Sequence, residues 1–296
     1  MTTWLRSKKT FSPYGEMVYL DLIGRGKTLH TARQWGNLIS NFEQICGNKS
    51  SYDRSDVIKY LAARRQVNIN NNSLVRTELA ALKLLWQLLE IDKFPKLNMP
   101  KVRNYDVLRP ILTKEQIIQL IQSSFNSVSL RNQAFLALAT VYGIRREEMA
   151  RINPSEHIKN GQLTILTAKG GIPTNHIIPE CLQAILKHFE PIGPTSLSTS
   201  FQIICKSCDI HLGQRYGWHS IRRALVTELV ISEASALNIV RFMRWSDQTS
   251  GNGEFRMLAR YAKKDQAQID KQIFAVHPFL KYWQTPVKAY TEGKVK

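Results

Sequence analysis

Pro95, Pro100 and Pro110 punctuate the stretch from Lys93 to Pro110. Each proline lacks a backbone N–H and fixes φ, so no regular element runs through that stretch. Lys93, Lys96, Lys101, Arg103 and Arg109 stand among them, and their mutual repulsion favours an extended strap. A chain cut this way has to fold as two bodies. Its 296 residues, 43% of them hydrophobic, suffice for two modest cores. The expected organisation is a helical domain over 1–92, a basic linker over 93–110 and a second domain over 111–296.

The first domain is helical by periodicity. Ala32, Trp35, Leu38, Ile39, Phe42 and Ile45 recur at helical spacing and the pattern stops at Gly47. A shorter helix is expected from about Ser55 to Arg65, with Val57, Ile58 and Leu61 on its buried side. Val75, Leu79, Leu82, Trp86 and Leu89 mark a third, whose other faces are unusually apolar. The packed part of the domain is expected from roughly residue 15 to 92.

In the second domain, Thr113-Lys114-Glu115-Gln116 has the form of a capping box opening a helix through Ile121. Phe135, Leu138, Ala139 and Tyr142 mark another that ends at Gly143, and a short one precedes Pro154. The period then changes. Leu163 to Thr167 and Asn175 to Ile178 flank Ala168-Lys169-Gly170-Gly171, a hairpin signal that sets Lys169 at the tip. Helices resume near His219 and around Ala236, Ile239, Val240 and Met243. The fold class is therefore mainly α with a small β-hairpin or sheet.

Lys and Arg number 41 against 23 Asp and Glu, a formal charge of +18. Such a field attracts polyanions and carries no sequence information. Nucleic acid leads, because no apolar run approaches the roughly 20 residues that span a bilayer and no signal-peptide pattern opens the chain. Four scattered cysteines, Cys46, Cys181, Cys205 and Cys208, fit a reducing compartment, so the expected location is cytoplasmic and nucleoid-associated. Cys205-Lys206-Ser207-Cys208 with His211 has the look of half a zinc site, but a fourth ligand at regular spacing is missing. Phe201 to Leu212 reads instead as a helix with Ile203 and Ile204 buried, and no metal is expected.

Chemistry-bearing residues stand in a fixed order. Gly143-Ile144-Arg145 with Glu148 comes first, then Lys169, then His219 and Arg222 three positions apart, then Trp245 within Phe242-Met243-Arg244-Trp245-Ser246-Asp247, then Tyr261. Displacement at a phosphodiester builds charge on the non-bridging oxygens, and two planar, permanently charged guanidiniums can hold them. Arg145 and Arg222 fit that clamp. His219 and Arg222 at a helix start share one side, where backbone N–H groups also favour an anion. His219 can shuttle a proton or donate a hydrogen bond.

This ordered set resembles the active-site signature of the tyrosine recombinases, the phage-integrase family. The resemblance covers about the last 185 residues by motif, and the helical domain agrees with that family's core-binding domain. It implies a mixed α/β catalytic domain with Arg145, Lys169, His219, Arg222, Trp245 and Tyr261 as catalytic residues and Glu148 orienting Arg145 or its helix; a plain surface glutamate is the other reading of Glu148. Tyr261 would form a 3′-phosphotyrosyl bond, with Lys169 offering a proton to the departing 5′ oxygen. Cofactors are none: neither metal nor ATP is implied, because the covalent intermediate conserves bond energy. The implied partners are double-stranded DNA with a specific site, a homotetramer on DNA and an accessory directionality factor. Arg64, Arg65, Arg76, Lys83, Lys101, Arg103, Arg146 and Arg223 are the candidate DNA contacts.

Departures from the pattern matter. Trp245 stands where histidine is commoner; its indole donates one hydrogen bond but does no acid–base work. Tyr261 follows Trp245 by 16 positions (261 − 245), longer than the usual spacing, and Gln248-Thr249-Ser250-Gly251-Asn252-Gly253 fills the excess. Tyr282 and Tyr290 are poorer candidates for the nucleophile. Ile269, Ile273, Phe274 and Phe279, between Gln266 and Trp283, stand at near-helical intervals and are expected to bury an apolar side against a neighbouring protomer or their own domain. Besides a recombinase, a type IB topoisomerase-like enzyme and a catalytically inactive DNA-binding regulator fit the same residues.

Overall fold

The computed structural model describes residues 11–67, 72–97, 110–167, 173–213, 215–245 and 265–284, and of residues 65, 67 and 72–75 the backbone alone. Two compact units divide the chain, Met1–Leu108 and Arg109–Lys296.

The first unit contains α1 (Pro13–Gly24), α2 (Leu29–Cys46), α3 (Arg54–Val67) and α4 (Asn72–Leu88). Ser12 and Thr28 cap α1 and α2, each accepting a backbone N–H of the first turn. These two helices cross in close contact. A Cβ on Gly15 would lie 2.3 Å from Ser40 Oγ and 2.7 Å from the Gly36 carbonyl oxygen, so only glycine allows the approach. Phe42, Tyr52, Tyr60 and Trp86 fill the space between the helices with aromatic contacts, Phe42 lying edge-on to Tyr52 and Tyr60. Ile58 departs from expectation at 48% exposed. Val57, Tyr60 and Leu61 share the inward face, and Ile58, one residue and about 100° round from Val57, points away. The start of the expected linker is also packed: Phe94 lies edge-on to Trp86 at 5.2 Å, and Leu97 packs on the same core.

The second unit contains α5 (Lys114–Ser127), α6 (Leu130–Tyr142), α7 (Arg146–Met149), α8 (Pro154–His157), β1 (Ile158–Lys159), β2 (Gln162–Ile165), β3 (Thr174–Ile177), α9 (Glu180–Leu186), α10 (Pro194–Ser207), α11 (Trp218–Ile231), α12 (Ala236–Phe242), α13 (Gln266–Ala275) and a 3₁₀ turn, Leu280–Trp283. The capping box at Thr113 and Gln116 is formed in both directions. β1, β2 and β3 make an antiparallel sheet in that order, with Leu163 paired to Ile158 and His176; β1 extends the expected hairpin by one strand. Helix α6 is the axis of the unit. Every residue from Asn132 to Tyr142 is buried, and such all-round burial is what a helix apolar on every side requires.

Helix α10 begins at Pro194, earlier than expected, and ends at Ser207 rather than Leu212. Leu197, Phe201, Ile204, Cys205 and Cys208 point inward, which leaves Ile203 48% exposed, a correction to its expected burial. Burial pushes the Cys205 thiol up to about 12 and that of Cys208 to about 11, so both stay protonated. They are core side chains, whereas His211 is exposed.

The C-terminal segment packs on its own unit. Ile269, Ile273, Phe279 and Trp283 are at most 1% exposed, and the Trp283 indole N–H donates to Thr140 Oγ1 at 3.0 Å. Of the two surfaces expected for that apolar side, its own domain is the one that covers it. Among the described residues no helix is long and apolar enough to cross a membrane.

Two predictions follow from this packing. Gly15→Ala should destabilise the α1–α2 contact by about 1–3 kcal/mol through overpacking, read as a lowered melting temperature and faster amide exchange in those helices. Gly24→Ala, where nothing lies within 4 Å of the added Cβ, should not; equal effects would reject the close-contact account. The second concerns His277, whose Nε2–H donates to the Val141 carbonyl at 3.0 Å while Nδ1 accepts the Phe279 and Leu280 N–H groups. Burial lowers its pKa from 6.5 to about 4. The folded state thus resists protonation: the contribution is complete above pH 6.5 and is lost as pH falls toward 4, about 3 kcal/mol in all. An NMR titration should find this ring neutral at pH 5.5; protonation near 6.5 would refute the assignment.

Candidate active site

The C-terminus of α6 organises the site. Gly143 closes the helix in the left-handed conformation, φ +56°, and a Cβ there would lie 2.6 Å from Met243 Cε. The final carbonyls of a helix lack intrahelical partners, and burial makes them costly unless donors come from elsewhere. Donors come from the later elements. Arg222, on α11 and 5% exposed, donates Nη1 to the Gly143 carbonyl and Nη2 to that of Met243. Arg244 Nη2 reaches the carbonyls of Tyr142, at 3.2 Å, and Gly143, at 3.4 Å. His277 takes the Val141 carbonyl. Cations at this end also complement the helix dipole.

Glu148 is fully buried, which excludes the surface reading. From the third position of α7 it reaches back to the Arg145 backbone N–H at 3.0 Å, the acidic half of a capping box. It pairs with the Arg145 guanidinium through Nη1 and with Arg244 Nη2 at 3.3 Å. Burial alone would raise its carboxyl, but Arg244 and Arg145 outweigh that and hold it below the usual range. Glu148 therefore aims Arg145, whose side chain remains 17% exposed.

His219 lies in the first turn of α11, which Trp218 anchors by donating its indole N–H to the Leu197 carbonyl at 2.7 Å. The His219 residue has an exposed face. Partial desolvation lowers its imidazole pKa, as do the charges of Arg222, Arg223 and Arg145, against an opposing pull from Glu147. The first and third sequence boxes thus converge: Arg145, His219 and Arg222 feel each other's fields although 74 positions (219 − 145) separate the first two. Burial and the neighbouring guanidiniums lower Arg222 well below its ordinary value. Arg244 falls to about 10, chiefly by burial, and remains charged at neutral pH.

Trp245 packs partly buried against the core and donates its backbone N–H to the Val240 carbonyl. Lys169 and Tyr261 lie outside the described residues. Tyr282 is partly buried against the core beside Lys281, whose ammonium lies 5.1 Å from the ring centroid, whereas Tyr290 lies outside the description.

The other basic candidates have varied surroundings. Arg146 donates to Glu147 and to Ser198 Oγ at 2.8 Å. Arg223 donates twice to the Pro110 carbonyl, at 3.1 and 2.8 Å. Arg64 pairs with buried Glu78 at 2.8 Å. Arg76 is exposed, and the Lys83 ammonium lies 5.7 Å from the Phe94 ring centroid. The side chain of Arg65, with Lys101 and Arg103, falls outside the description.

Sequence reading missed Arg244, His176 and Asp270. His176 and Asp270 are fully buried and joined at 2.8 Å, Nδ1 to Oδ1. Arg244 was visible only as a neighbour of Trp245, and His176 and Asp270, although they lie in the expected strand and C-terminal helix, belong to no chemical motif.

No family model and no curated protein matches the chain. Solved structures do. A lambda integrase tetramer bound to a Holliday junction is similar with a TM-score of 0.62 at 16% identity, over 81% of this chain and 78% of that chain. A lambda integrase (75–356) dimer bound to a COC′ core site is similar at 0.59 and 16% identity, covering 85% and 96%. XerH site-specific recombinase bound to palindromic difH substrate is similar at 0.58 and 14% identity, covering 84% and 82%. The chain has the fold of the tyrosine recombinases.

Arg222→Lys should lower stability by about 1–3 kcal/mol, because one ammonium cannot replace a planar fork shared between two buried carbonyls. A thermal melt equal to that of the parent would refute this role.

Proposed function

We propose that this chain is a site-specific DNA recombinase that cleaves and rejoins duplex DNA through a 3′-phosphotyrosine intermediate. The observation that carries the reading is the convergence of Arg145 and Arg222 at the buried end of α6, with His219 three positions before Arg222 on α11 and within reach of both charges, in a fold shared with integrases. Phosphate oxygens would meet the outward edge of Arg145 and the remaining N–H groups of Arg222, with His219 donating or shuttling a proton at the rim. Its depressed pKa keeps His219 mostly neutral at neutral pH until an incoming phosphate favours the charged form.

Tyr261 is the proposed nucleophile. Its phenolic oxygen bonds to phosphorus as the bond to the 5′ oxygen breaks; the phenol passes its proton to the neutral imidazole of His219, and the departing oxygen takes one from Lys169. Trp245 lends packing and one indole donor. The covalent link keeps the bond energy, so the reverse attack by a 5′-hydroxyl reseals the strand. Arg65, Arg76, Lys83, Lys101 and Arg103 supply proposed phosphate contacts that steer DNA, and exchange proceeds with four copies on two duplexes.

Incubation with a nicked duplex carrying the target site should yield a denaturant-resistant adduct on the 3′ side of the break. Tyr261→Phe should abolish it, Tyr282→Phe and Tyr290→Phe should retain it, and chelation of metals should leave it intact. An adduct that survives Tyr261→Phe overturns the assignment of the nucleophile. Relaxation of supercoils at no defined site favours a type IB topoisomerase-like enzyme, and DNA binding with no adduct favours a regulator.

A further inference from the structure

Beyond Arg145, His219 and Arg222, which converge on the site, lies a third guanidinium, that of Arg244, to which the motif reading gave no role. It follows the last turn of α12 with φ +54°, in the left-handed region that favours glycine. Its side chain is nevertheless fully buried, so it cannot itself touch DNA. The guanidinium sits at the centre of a continuous polar chain. On one side Nη2 meets Glu148 Oε2, and Glu148 in turn holds the backbone N–H and guanidinium of Arg145. On the other, Nη1 donates to the Phe242 carbonyl at 2.9 Å and approaches His176 Nε2 at 3.4 Å.

His176 is fixed in turn. Burial keeps its ring neutral, against the pull of Asp270, so the contact to Asp270 Oδ1 sets the proton on Nδ1 and leaves Nε2 to accept from Arg244 and from Thr174 Oγ1 at 2.8 Å. Asp270 also accepts the Ile177 backbone N–H at 2.7 Å and the Gln266 amide at 2.9 Å, tying α13 to β3. Its helix begins five positions (266 − 261) after Tyr261.

We propose that Arg244 is a positioning residue: braced by His176 and Asp270, it fixes the Glu148 carboxylate that aims Arg145, and so couples the docking of α13 on β3 to the aim of the phosphate clamp. This rests on the reading of Arg145 as a phosphate ligand. A buried carboxylate with two guanidinium partners has one orientation, whereas with Arg145 alone it can follow that side chain outward. Arg244 thus acts on phosphate through Arg145.

Arg244→Gly removes the guanidinium and suits the backbone. It should slow single-turnover adduct formation about 100-fold, the scale of a misaimed reacting group, while DNA affinity stays within about twofold. Millimolar guanidinium, entering the vacated space, should restore part of the rate. Independently of activity, the Arg145 Nε–H resonance, identified by its loss in Arg145→Lys, should shift or broaden in Arg244→Gly. An unchanged adduct rate or an unchanged Arg145 resonance overturns the proposal. Should Arg244→Gly lose its helical circular dichroism, Arg244→Lys decides by the same two readouts, with a roughly tenfold slower rate expected. If the parent protein forms no adduct on any nicked duplex, the functional reading fails, and the resonance still decides the positioning role.

Discussion

A helix that ends inside a protein leaves carbonyl oxygens without partners, and the way α6 resolves this shapes everything around it. Its axis is wholly buried, so water cannot serve those oxygens. Arg222, Arg244 and His277 do, each arriving from a different later element. The left-handed turn at Gly143 presents one carbonyl to two guanidiniums at once, and Met243 packed against that glycine leaves no room for a side chain. The elements after α10 are thereby fastened to the same few backbone atoms from which α7 and Arg145 depart.

Concentrating cations in a dry place is ordinarily unfavourable, since each resists desolvation and repels the others. Glu148 offsets both costs for Arg145 and Arg244, and the helix carbonyls offset them for Arg222. The result is a set of guanidiniums held in place before any ligand arrives. Preorganised donors of this kind stabilise developing charge more than mobile surface lysines do, because little rearrangement remains at the moment of reaction. The residual repulsion is visible at the rim, where burial and the arginines together depress His219.

Much of this was legible in the sequence for a physical reason. Amphipathic or all-apolar helices announce themselves by period, which gave α2, α4 and α6, and turn chemistry gave the Thr113 capping box, the Gly143 terminus and the hairpin. Boxes of chemistry-bearing residues in a fixed order gave Arg145, His219 and Arg222, which the fold brings within reach of one another's charge. Ile58 and Ile203 were misread because an apolar side chain carries no label for its face; Tyr60 and Cys205 outcompeted them for the inward positions. Buried polar pairs were harder. Asp270 and His176 are 94 positions apart, and a carboxylate in a polar-looking helix reads as solvated until tertiary structure encloses it. Glu148 was left between a partner of Arg145 and a surface glutamate, and only its burial beside that arginine separates the two.

The C-terminal segment shows why such long-range pairs matter to mechanism. Helix α13 is short, and short helices are marginal alone, so its place depends on Ile269 and Ile273 in the core and on Asp270 bonded to the edge of β3. Apolar burial fixes it only loosely in direction, because hydrophobic contact is non-directional. The carboxylate supplies what burial lacks: its two oxygens meet a backbone N–H and an imidazole whose tautomer is already set by the same contact. A helix registered in this way on β3 stands at a defined distance from Arg244, and any movement of it is felt by the donor that shares Glu148 with Arg145. Registry of the tail and orientation of the clamp are in this sense one mechanical problem, solved by one line of buried hydrogen bonds.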